Sequence, residues 1–405
     1  MKKFNKVLSV VVASAMVMAM AGCGNTDNGS AATGTNAATE SAAADNGAAS
    51  GSVFKIGGIG PTTGGAAVYG LAVQHGAEIA VEEINAAGGI NGYQVEFKFQ
   101  DDEADAEKSV NAYNALKDWG AQVLDGSTTS GACIAVTDKT KEDNMFQITP
   151  SGSAVECVQY DNNFRVCFSD PNQGLASAQY IGENGLAEKI AVIYDSSDVY
   201  SSGIYEKFVK EAENQPFEVV AAEAFTADNK TDFSVQLQKA KDAGADMVFL
   251  PIYYQESALI LTQAAAMGYA PKWISCEGMD GILGGVDNFD VSLTEGVMLL
   301  TPFAADATDD LTQSFVTKYK EKYGETPNQF AADSYDAIYV IKAAIEKSGV
   351  TPDMSVSDIC DGMKAAMTEI TVDGLTGNGM TWTADGEANK APKAVVIENG
   401  AYKAM

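Results

Sequence analysis

Histidine is nearly absent from this chain, since His75 is the only one in 405 residues. A zinc-protease HExxH motif is therefore impossible, and a Ser-His-acid triad would depend on a single ring in the middle of a predicted helix. The sequence also lacks the Gly-Lys pair of a phosphate-binding loop. The run Gly58–Gly64 has one residue too many for a dinucleotide loop, and Pro61 removes an amide that a phosphate would need. We expect no enzymatic activity and no cofactor, and we interpret His75 as an ordinary helix residue.

Basic residues are scarce, with 26 lysines and arginines against 55 aspartates and glutamates and a formal net charge of −29. A body this acidic repels nucleic acid and anionic lipid headgroups. We therefore predict no nucleic-acid partner. The acidity is otherwise typical of a protein that stays soluble in an extracellular setting.

Cysteine is also rare. Cys23 follows a hydrophobic segment near the start, and the other five are Cys133, Cys157, Cys167, Cys276 and Cys360. None of the five belongs to a CxxC motif, so neither a zinc knuckle nor a thioredoxin-type site is predicted. Their odd number leaves at least one unpaired. Cys157 and Cys167 are close enough in sequence for a loop disulfide, and buried free thiols are the alternative.

An acidic cluster raises the question of a bound cation, and its members are Asp101, Asp102, Glu103 and Asp105. The cluster lacks the Asp/Asn-Gly cadence of a calcium loop. We interpret it as the solvated end of a strand and predict no metal site.

Long hydrophobic runs are limited to Val7–Ala21, which follows three lysines among the first six residues. At about 15 residues this run is shorter than the roughly 20 that span a bilayer. Small residues at Ala21 and Gly22 come directly before Cys23, a pattern typical of a lipoprotein signal. We predict that residues 1–22 are removed and that Cys23 is acylated, which anchors the protein to the outer face of the cell membrane.

Residues 23–52 follow as a predicted linker that consists mainly of Gly, Ala, Ser, Thr and Asn and contains no aromatic residue. Such a segment has too little apolar surface to offset its ordering entropy. We expect a flexible tether with an r.m.s. reach of about 30 Å.

From Val53 onward the chain alternates short β-rich runs with longer helical stretches. Predicted strands include Lys55–Gly60, Met247–Leu250 and Lys272–Ser275, and predicted helices include Ala67–Ala87 and Ala106–Trp119. This alternation predicts an α/β fold with doubly wound parallel sheets, and its two cycles indicate two lobes. Ligands of such sheets bind beyond the carboxyl ends of the strands, so functional residues are expected just after each strand.

A series of short motifs follows the predicted strands or lies between the predicted elements: Gly60–Gly64, Asn85–Gly92, Asp101-Asp102, Ser130-Gly131, Ile148–Ser153, Arg165, Asp170–Gly174, Tyr200, Asp232–Ser234, Tyr253-Tyr254, Glu277-Gly278, Tyr335–Ala337, Gly374–Gly377 and Asp385-Gly386. In their order and spacing these motifs resemble those of the type I periplasmic binding proteins for leucine, isoleucine and valine. The resemblance covers essentially all of residues 53–405.

This resemblance implies a venus-flytrap architecture, in which two doubly wound lobes are joined by a three-strand hinge and close over a small molecule. The implied boundaries are residues 53–170 and 302–382 for lobe 1, and 171–301 and 383–405 for lobe 2. Helices in the range 311–349 would then belong to lobe 1. The family also implies a monomer that delivers its ligand to the permease of an ABC transporter.

The predicted ligand-binding residues divide by the chemistry of a free amino acid. Ser130 begins a predicted helix, where free amides favour an anion, and Ser151 and Ser153 follow the next strand; all three match carboxylate-binding positions of the family. Glu277 accepts hydrogen bonds only, which suits an ammonium group, and it matches the family's acidic ligand.

The aromatic positions Tyr69, Tyr200 and Tyr253 match residues that the family places around the ligand. Tyr253 and Tyr254 point in opposite directions in an extended segment, and we favour Tyr253 as the one facing the ligand. The serines are equally explained as helix caps. Phe168 and Trp273 either line the side-chain pocket or pack beneath it.

These features predict an extracytoplasmic, lipid-anchored solute-binding protein for a small amino acid, with a branched-chain side chain as the first choice. The same fold with an amide, urea or aromatic acid as ligand is the alternative, and so is a sensory ligand-binding module.

Overall fold

The computed structural model describes residues 51–405, which form two lobes, each built around one β-sheet. The predicted signal, Cys23 and the linker up to residue 50 lie outside the described residues. Within the described part of the chain, no helix has the length and apolar character needed to cross a bilayer.

Twelve strands are formed by the described residues. In chain order, β1 to β12 span Phe54–Gly60, Val95–Asp101, Val123–Asp125, Phe146–Thr149, Asn163–Arg165, Lys189–Asp195, Glu218–Phe225, Met247–Leu250, Lys272–Ser275, Met298–Thr301, Lys393–Glu398 and Ala401–Ala404.

Ten α-helices, again counted over residues 51–405, pack around these strands. In chain order, α1 to α10 span Ala67–Ala86, Ala106–Trp119, Ser130–Glu142, Asp170–Glu183, Val199–Ala212, Ser234–Asp242, Tyr254–Ala266, Asp310–Tyr323, Gln329–Ser348 and Val356–Met367. Short 3₁₀ turns at Val155–Val158 and Glu277–Met279 follow β4 and β9.

The helix boundaries have local causes in the sequence. The Asp105 carboxylate accepts hydrogen bonds from Glu107 N and Lys108 N at the start of α2, and Gly120 ends that helix with φ of 92°. These are the side-chain cap and left-handed glycine that commonly bound a helix. Both ends of α2 coincide with the sequence prediction.

Helices α1 and α9 pack closely in lobe 1. A Cβ atom at Gly76 of α1 would lie 2.0 Å from the carbonyl oxygen of Ala331 in α9, so only glycine permits this approach. Most of α9 is buried, and both α8 and α9 contact α1. These contacts favour the predicted place of the helices of residues 311–349 in lobe 1, which stays a prediction.

Each sheet places its first strand inside the sheet rather than at its edge. The strand order is β2-β1-β3-β4-β5 in lobe 1 and β12-β11-β10-β9-β8-β6-β7 in lobe 2, where β11 and β12 are antiparallel additions to a parallel core. The strand order therefore reverses beside β1 and beside β6. A crevice opens at such a reversal, and ligands of doubly wound sheets bind there.

Three connections join the lobes, after β5, after β10 and before β11. Before the third one, Arg165 N donates to the Gly386 carbonyl, and Trp382 forms a bridge with Ala388. Residues 382–388 therefore remain beside the sheet of lobe 1. The domain division at residues 382 and 383 stays a prediction, and these contacts favour a third connection that begins after residue 388.

The α/β class, the doubly wound parallel sheets and the two lobes are confirmed. Differences in element bounds are small: β1 begins at Phe54 rather than Lys55, and α1 ends at Ala86 rather than Ala87. The start of α5 is capped by Asp198, whose carboxylate accepts a hydrogen bond from Tyr200 N. The five described cysteines are buried free thiols, so the Cys157–Cys167 disulfide is not formed.

Candidate functional site

A small cavity lies between the lobes, at the point where the two strand reversals face each other. The space in it that the centre of a water molecule can occupy is about 10 Å³. Its lining residues come from both lobes and are Tyr69, Thr128, Thr129, Ser130, Ser151, Tyr200, Tyr253, Glu277, Gly278 and Phe330. Six of the seven predicted ligand residues thus meet at one cavity, and the seventh, Ser153, contacts Ser130 behind its wall.

The serines tie two post-strand loops of lobe 1 together. Ser130 Oγ accepts hydrogen bonds from Ser153 N and Ala154 N, both at 3.1 Å, and lies 3.4 Å from Ser153 Oγ. The Ser130 side chain therefore organises the loop after β4 and does not cap its own helix.

The N-terminus of α3 supplies donors to this side of the cavity. Its first intrahelical hydrogen bond runs from Cys133 N to Thr129 O, so the amides before Cys133 have no carbonyl of the preceding turn to bind. The hydroxyl of the N-cap residue Thr129 is buried and makes no hydrogen bond. Free amides and an unpaired hydroxyl at a helix N-terminus are suited to a carboxylate.

Arg165 fixes the shape of the loop after β4 from behind. Its side chain is fully buried, and its guanidinium donates to the carbonyl groups of four consecutive residues, 152–155. Glu387 Oε2 lies 3.3 Å from Arg165 Nε. The carbonyl groups of this loop turn toward Arg165, and the Ser151 side chain lines the cavity.

Glu277 faces the donors from lobe 2, where it begins the 3₁₀ turn after β9. The residue is only 2% exposed. Its carboxylate accepts hydrogen bonds from two neutral amides, Gln173 Nε2 at 3.1 Å and Gln329 Nε2 at 3.4 Å. Among residues 51–405, no lysine or arginine forms an ion pair with it.

The surroundings of Glu277 make its charge costly. Burial raises the pKa of this carboxyl well above its ordinary value, and the nearby carboxylates Asp333 and Asp170 raise it further. An ionised group in such a place is stabilised by an opposite charge. The site can therefore accept a cation at this end and an anion at the serine end.

Tyrosines close the cavity across the lobe boundary. Tyr69 Oη of lobe 1 donates to the carbonyl of Gly278 in lobe 2 and accepts from Tyr254 N at 3.3 Å. Tyr200 Oη accepts from Gly278 N at 2.9 Å. A Cβ atom at residue 278 would lie 2.6 Å from Tyr200 Oη, so glycine is required for this approach.

The apolar part of the lining consists of aromatic rings. Tyr69 packs against Phe330 with ring centroids 4.3 Å apart, and Tyr200 stacks on Tyr253 at 5.2 Å. Tyr253 lines the cavity, whereas Tyr254 is buried in the hydrophobic core. These rings provide a surface for an apolar ligand side chain.

Other residues considered from the sequence lie away from the cavity. Trp273 packs beside Tyr269, and the Lys390 ammonium lies over the Phe168 ring. His75 stacks on Tyr323 between α1 and α8, with ring centroids 3.6 Å apart.

The acidic cluster at residues 101–105 has local structural roles. Asp101 accepts from Thr62 N and Thr63 N, Asp102 from Ala104 N, and Asp105 caps α2. No cluster of potential metal ligands occurs among the described residues.

Four lining residues were missed from the sequence: Thr128, Thr129, Gly278 and Phe330. The first three adjoin predicted residues, so extending each post-strand motif by one or two positions would have included them. Phe330 lies on α9, far from the others in sequence, and no local pattern marks it.

The family model for periplasmic binding proteins matches residues 53–401. The chain belongs to the periplasmic binding protein family. Its resemblance in sequence motifs is thereby confirmed, and the paired lobes and interlobe cavity are those of a periplasmic binding protein.

Two curated relatives carry names that state their ligands. A Leu/Ile/Val-binding protein homolog from Brucella melitensis is 31% identical over 300 residues, which cover 74% of this chain and 80% of the relative. A leucine-, isoleucine-, valine-, threonine- and alanine-binding protein from Pseudomonas aeruginosa is 30% identical over 298 residues, which cover 73% of this chain and 79% of that relative.

Solved structures agree on the fold. One is the branched-chain amino acid transporter substrate binding protein LivJ from Streptococcus pneumoniae, in complex with isoleucine. It superposes with a TM-score of 0.78 at 28% sequence identity, and the match covers 87% of this chain and 99% of the LivJ chain. Another is a solute binding protein of an ABC transporter from R. palustris, in complex with benzoate. Its TM-score is 0.76, and the match covers 87% of this chain and 95% of the neighbour's chain. At 20% identity, this solute binding protein is evidence of a shared fold alone.

Proposed function

We propose that this protein binds a branched-chain α-amino acid between its lobes and delivers it to an ABC transporter permease. The observation that carries the proposal is Glu277, a buried carboxylate that faces the cavity and has only neutral partners. The ligand's ammonium group would supply the missing positive charge. The names of relatives at 30% and 31% identity support the same ligand class.

The ligand carboxylate would bind at the opposite end of the cavity. The unpaired Thr129 hydroxyl and the amides that begin α3 provide donors there, together with the Ser151 hydroxyl. Hydrogen bonds to a charged group are about twice as strong as those between neutral groups. The two ends of the cavity thus distinguish an amino acid from a molecule with one charged group.

The aromatic lining would receive the apolar side chain. Tyr69, Tyr253 and Phe330 surround this part of the cavity, and Tyr69 belongs to the opposite lobe from Tyr253. A ligand that contacts both lobes stabilises their closed arrangement and shifts the population toward it. Lobe closure is thus the proposed capture step, and no catalytic step is proposed.

An aromatic acid is the second candidate, because solved neighbours with this fold bind benzoate and 4-hydroxybenzoate. Such a ligand has a carboxylate for the serine end but no cation for Glu277. It would leave a buried charge without an opposite charge, which is unfavourable. The structure of the cavity therefore favours the amino acid.

A thermal-shift panel tests the ligand class. We expect leucine, isoleucine and valine to raise the melting temperature of the protein, whereas benzoate, amides and urea should not. Ligand at 100 times its Kd stabilises the folded state by about 2.7 kcal/mol, which corresponds to a rise of a few degrees. Stabilisation by benzoate or urea alone would contradict the proposed ligand.

The proposed location is the extracytoplasmic face of the cell membrane, with Cys23 as the lipid attachment site. Cys23→Ser should abolish labelling by a radioactive fatty acid and leave the precursor uncleaved. Cys133→Ser, which changes one of the buried thiols, serves as the control and should be labelled normally. Membrane retention and normal processing of the Cys23→Ser protein would refute the anchor.

A further inference from the structure

A second and larger cavity lies between the lobes, separated from the first by the N-terminal turn of α1. The space in it that the centre of a water molecule can occupy is about 470 Å³. Val68 and Leu71 of α1 form its lobe 1 wall, and Leu283 and Gly284 belong to its lobe 2 wall. Tyr69, between the two α1 residues, points instead into the first cavity.

Asp280 is the buried polar residue of this second cavity. It is 6% exposed and lines the cavity wall. One carboxylate oxygen, Oδ2, accepts a hydrogen bond from Gln329 N at 2.9 Å, while Oδ1 makes no hydrogen bond. Burial raises the pKa of this carboxyl, although the Gln329 amide and the neighbouring Tyr402 hydroxyl lower it in part.

The remaining lining combines apolar walls with a charged rim. Leu71 is 38% exposed although it faces a cavity. At the rim, Lys403 Nζ lies 4.0 Å from Asp306 Oδ2, so that lysine already has a partner. Lys320 and Glu325 also line the rim. An acceptor at the buried end and apolar walls around it suit a ligand with a cationic head and an apolar body.

We propose that this second cavity binds a small amphipathic amine, with its ammonium group on Asp280 and its apolar body against Val68, Leu71 and Leu283. The claim of binding is independent of the function proposed for the first cavity. No lysine or arginine among residues 51–405 forms an ion pair with Asp280. The ammonium would therefore supply the positive charge that this buried carboxylate lacks.

Occupation of the second cavity should also affect the first. Asp280 N donates to Glu277 O at 2.8 Å within one turn, and Gln329 contacts both acidic side chains through its backbone and its side chain. Both cavities have walls from both lobes, so a ligand in either one favours a particular lobe arrangement. Such coupling is reciprocal, and this part of the inference rests on the proposed function.

Calorimetric titration with phenethylammonium chloride tests the second site. We expect one bound molecule with a Kd at or below about 1 mM. Asp280→Asn should weaken this binding by at least about tenfold, since it removes the charge that pairs with the ammonium. Asp306→Asn makes the same charge change at the rim, and its Kd for phenethylammonium should stay within about twofold of that of the parent protein.

A second pair of variants does not depend on Asp280. Gly284 lines the cavity, and a Cβ atom there would meet no heavy atom within 4 Å. Gly284→Phe should therefore fill the space and abolish phenethylammonium binding, whereas Gly284→Ala should retain it. Circular dichroism of each variant verifies that it is folded.

The Glu277→Gln protein separates the two cavities. It should bind phenethylammonium as the parent does, even where leucine binding is lost. The inference is overturned if the parent shows no binding at 10 times the expected Kd, or if Asp280→Asn and Gly284→Phe both bind normally. Loss of phenethylammonium binding in Glu277→Gln alone would assign the amine to the first cavity and equally overturn it.

Discussion

Glu277→Gln is expected to weaken leucine binding by roughly 30-fold to several thousand-fold. Removing one partner of a buried charge-assisted pair costs about 2 to 5 kcal/mol, because the other charge stays desolvated and unpaired, and each 1.4 kcal/mol is about tenfold in Kd. Glutamine has nearly the same shape as glutamate, so the cavity walls are retained. Calorimetric titration of both proteins measures the ratio of their Kd values.

The control for this change is Glu398→Gln, which removes an exposed carboxylate from β11 in the same lobe. Its Kd for leucine should match that of the parent. A second readout is pH: binding of an ammonium requires ionised Glu277, so the parent's affinity should fall as the pH drops through the raised pKa of this carboxyl. The leucine affinity of the Glu277→Gln protein should not show this fall with pH. Equal affinity and equal pH dependence of the two proteins would contradict the assigned role.

Arg165→Met is expected to lower the free energy of unfolding by about 3 to 5 kcal/mol, the usual cost of breaking a buried charged network. The change leaves the carbonyl groups of residues 152–155 without their donor and removes the counter-charge of Glu387. It should also weaken leucine binding, because the loop that carries Ser151 and Ser153 loses its support. Urea denaturation, with the midpoint and slope compared between proteins, measures the loss.

Lys141→Met provides the matched comparison for Arg165→Met. Lys141 pairs with Asp161 at 2.6 Å, but both side chains are about half exposed, and exposed pairs contribute about 0 to 1 kcal/mol. The loss in the free energy of unfolding for Arg165→Lys should lie between those for Arg165→Met and Lys141→Met, since one ammonium cannot span four carbonyl groups. A loss below 1 kcal/mol in Arg165→Met would show that the loop holds its shape without the guanidinium.

The sequence was sufficient to predict the lobes and most of the lining because both depend on local patterns. Buried parallel strands appear as short apolar runs, and β8 and β9 have the predicted bounds. The side chains that follow these strands must meet at the carboxyl edge of the sheet. Ser130, Tyr253 and Glu277 were predicted because they follow such strands and also match ligand positions of the family, and the structure brings them to one cavity.

Contacts between distant segments could not be predicted in this way. The amide partners of Glu277 come from α4 and α9, and nothing in their local sequence relates either helix to β9. Phe330 enters the lining because α9 crosses from lobe 1 to the cavity. The second cavity is likewise formed by segments that are far apart in sequence, including the β11–β12 hairpin.

Calorimetric comparison of leucine with 4-methylpentanoate tests the central claim most directly. The two molecules share a carboxylate and a branched apolar chain, and only leucine carries the ammonium group assigned to Glu277. We predict that leucine binds the parent protein at least about 30-fold more tightly than 4-methylpentanoate, and that Glu277→Gln removes most of this preference. Equal binding of the two molecules by the parent protein would contradict recognition of an α-amino acid.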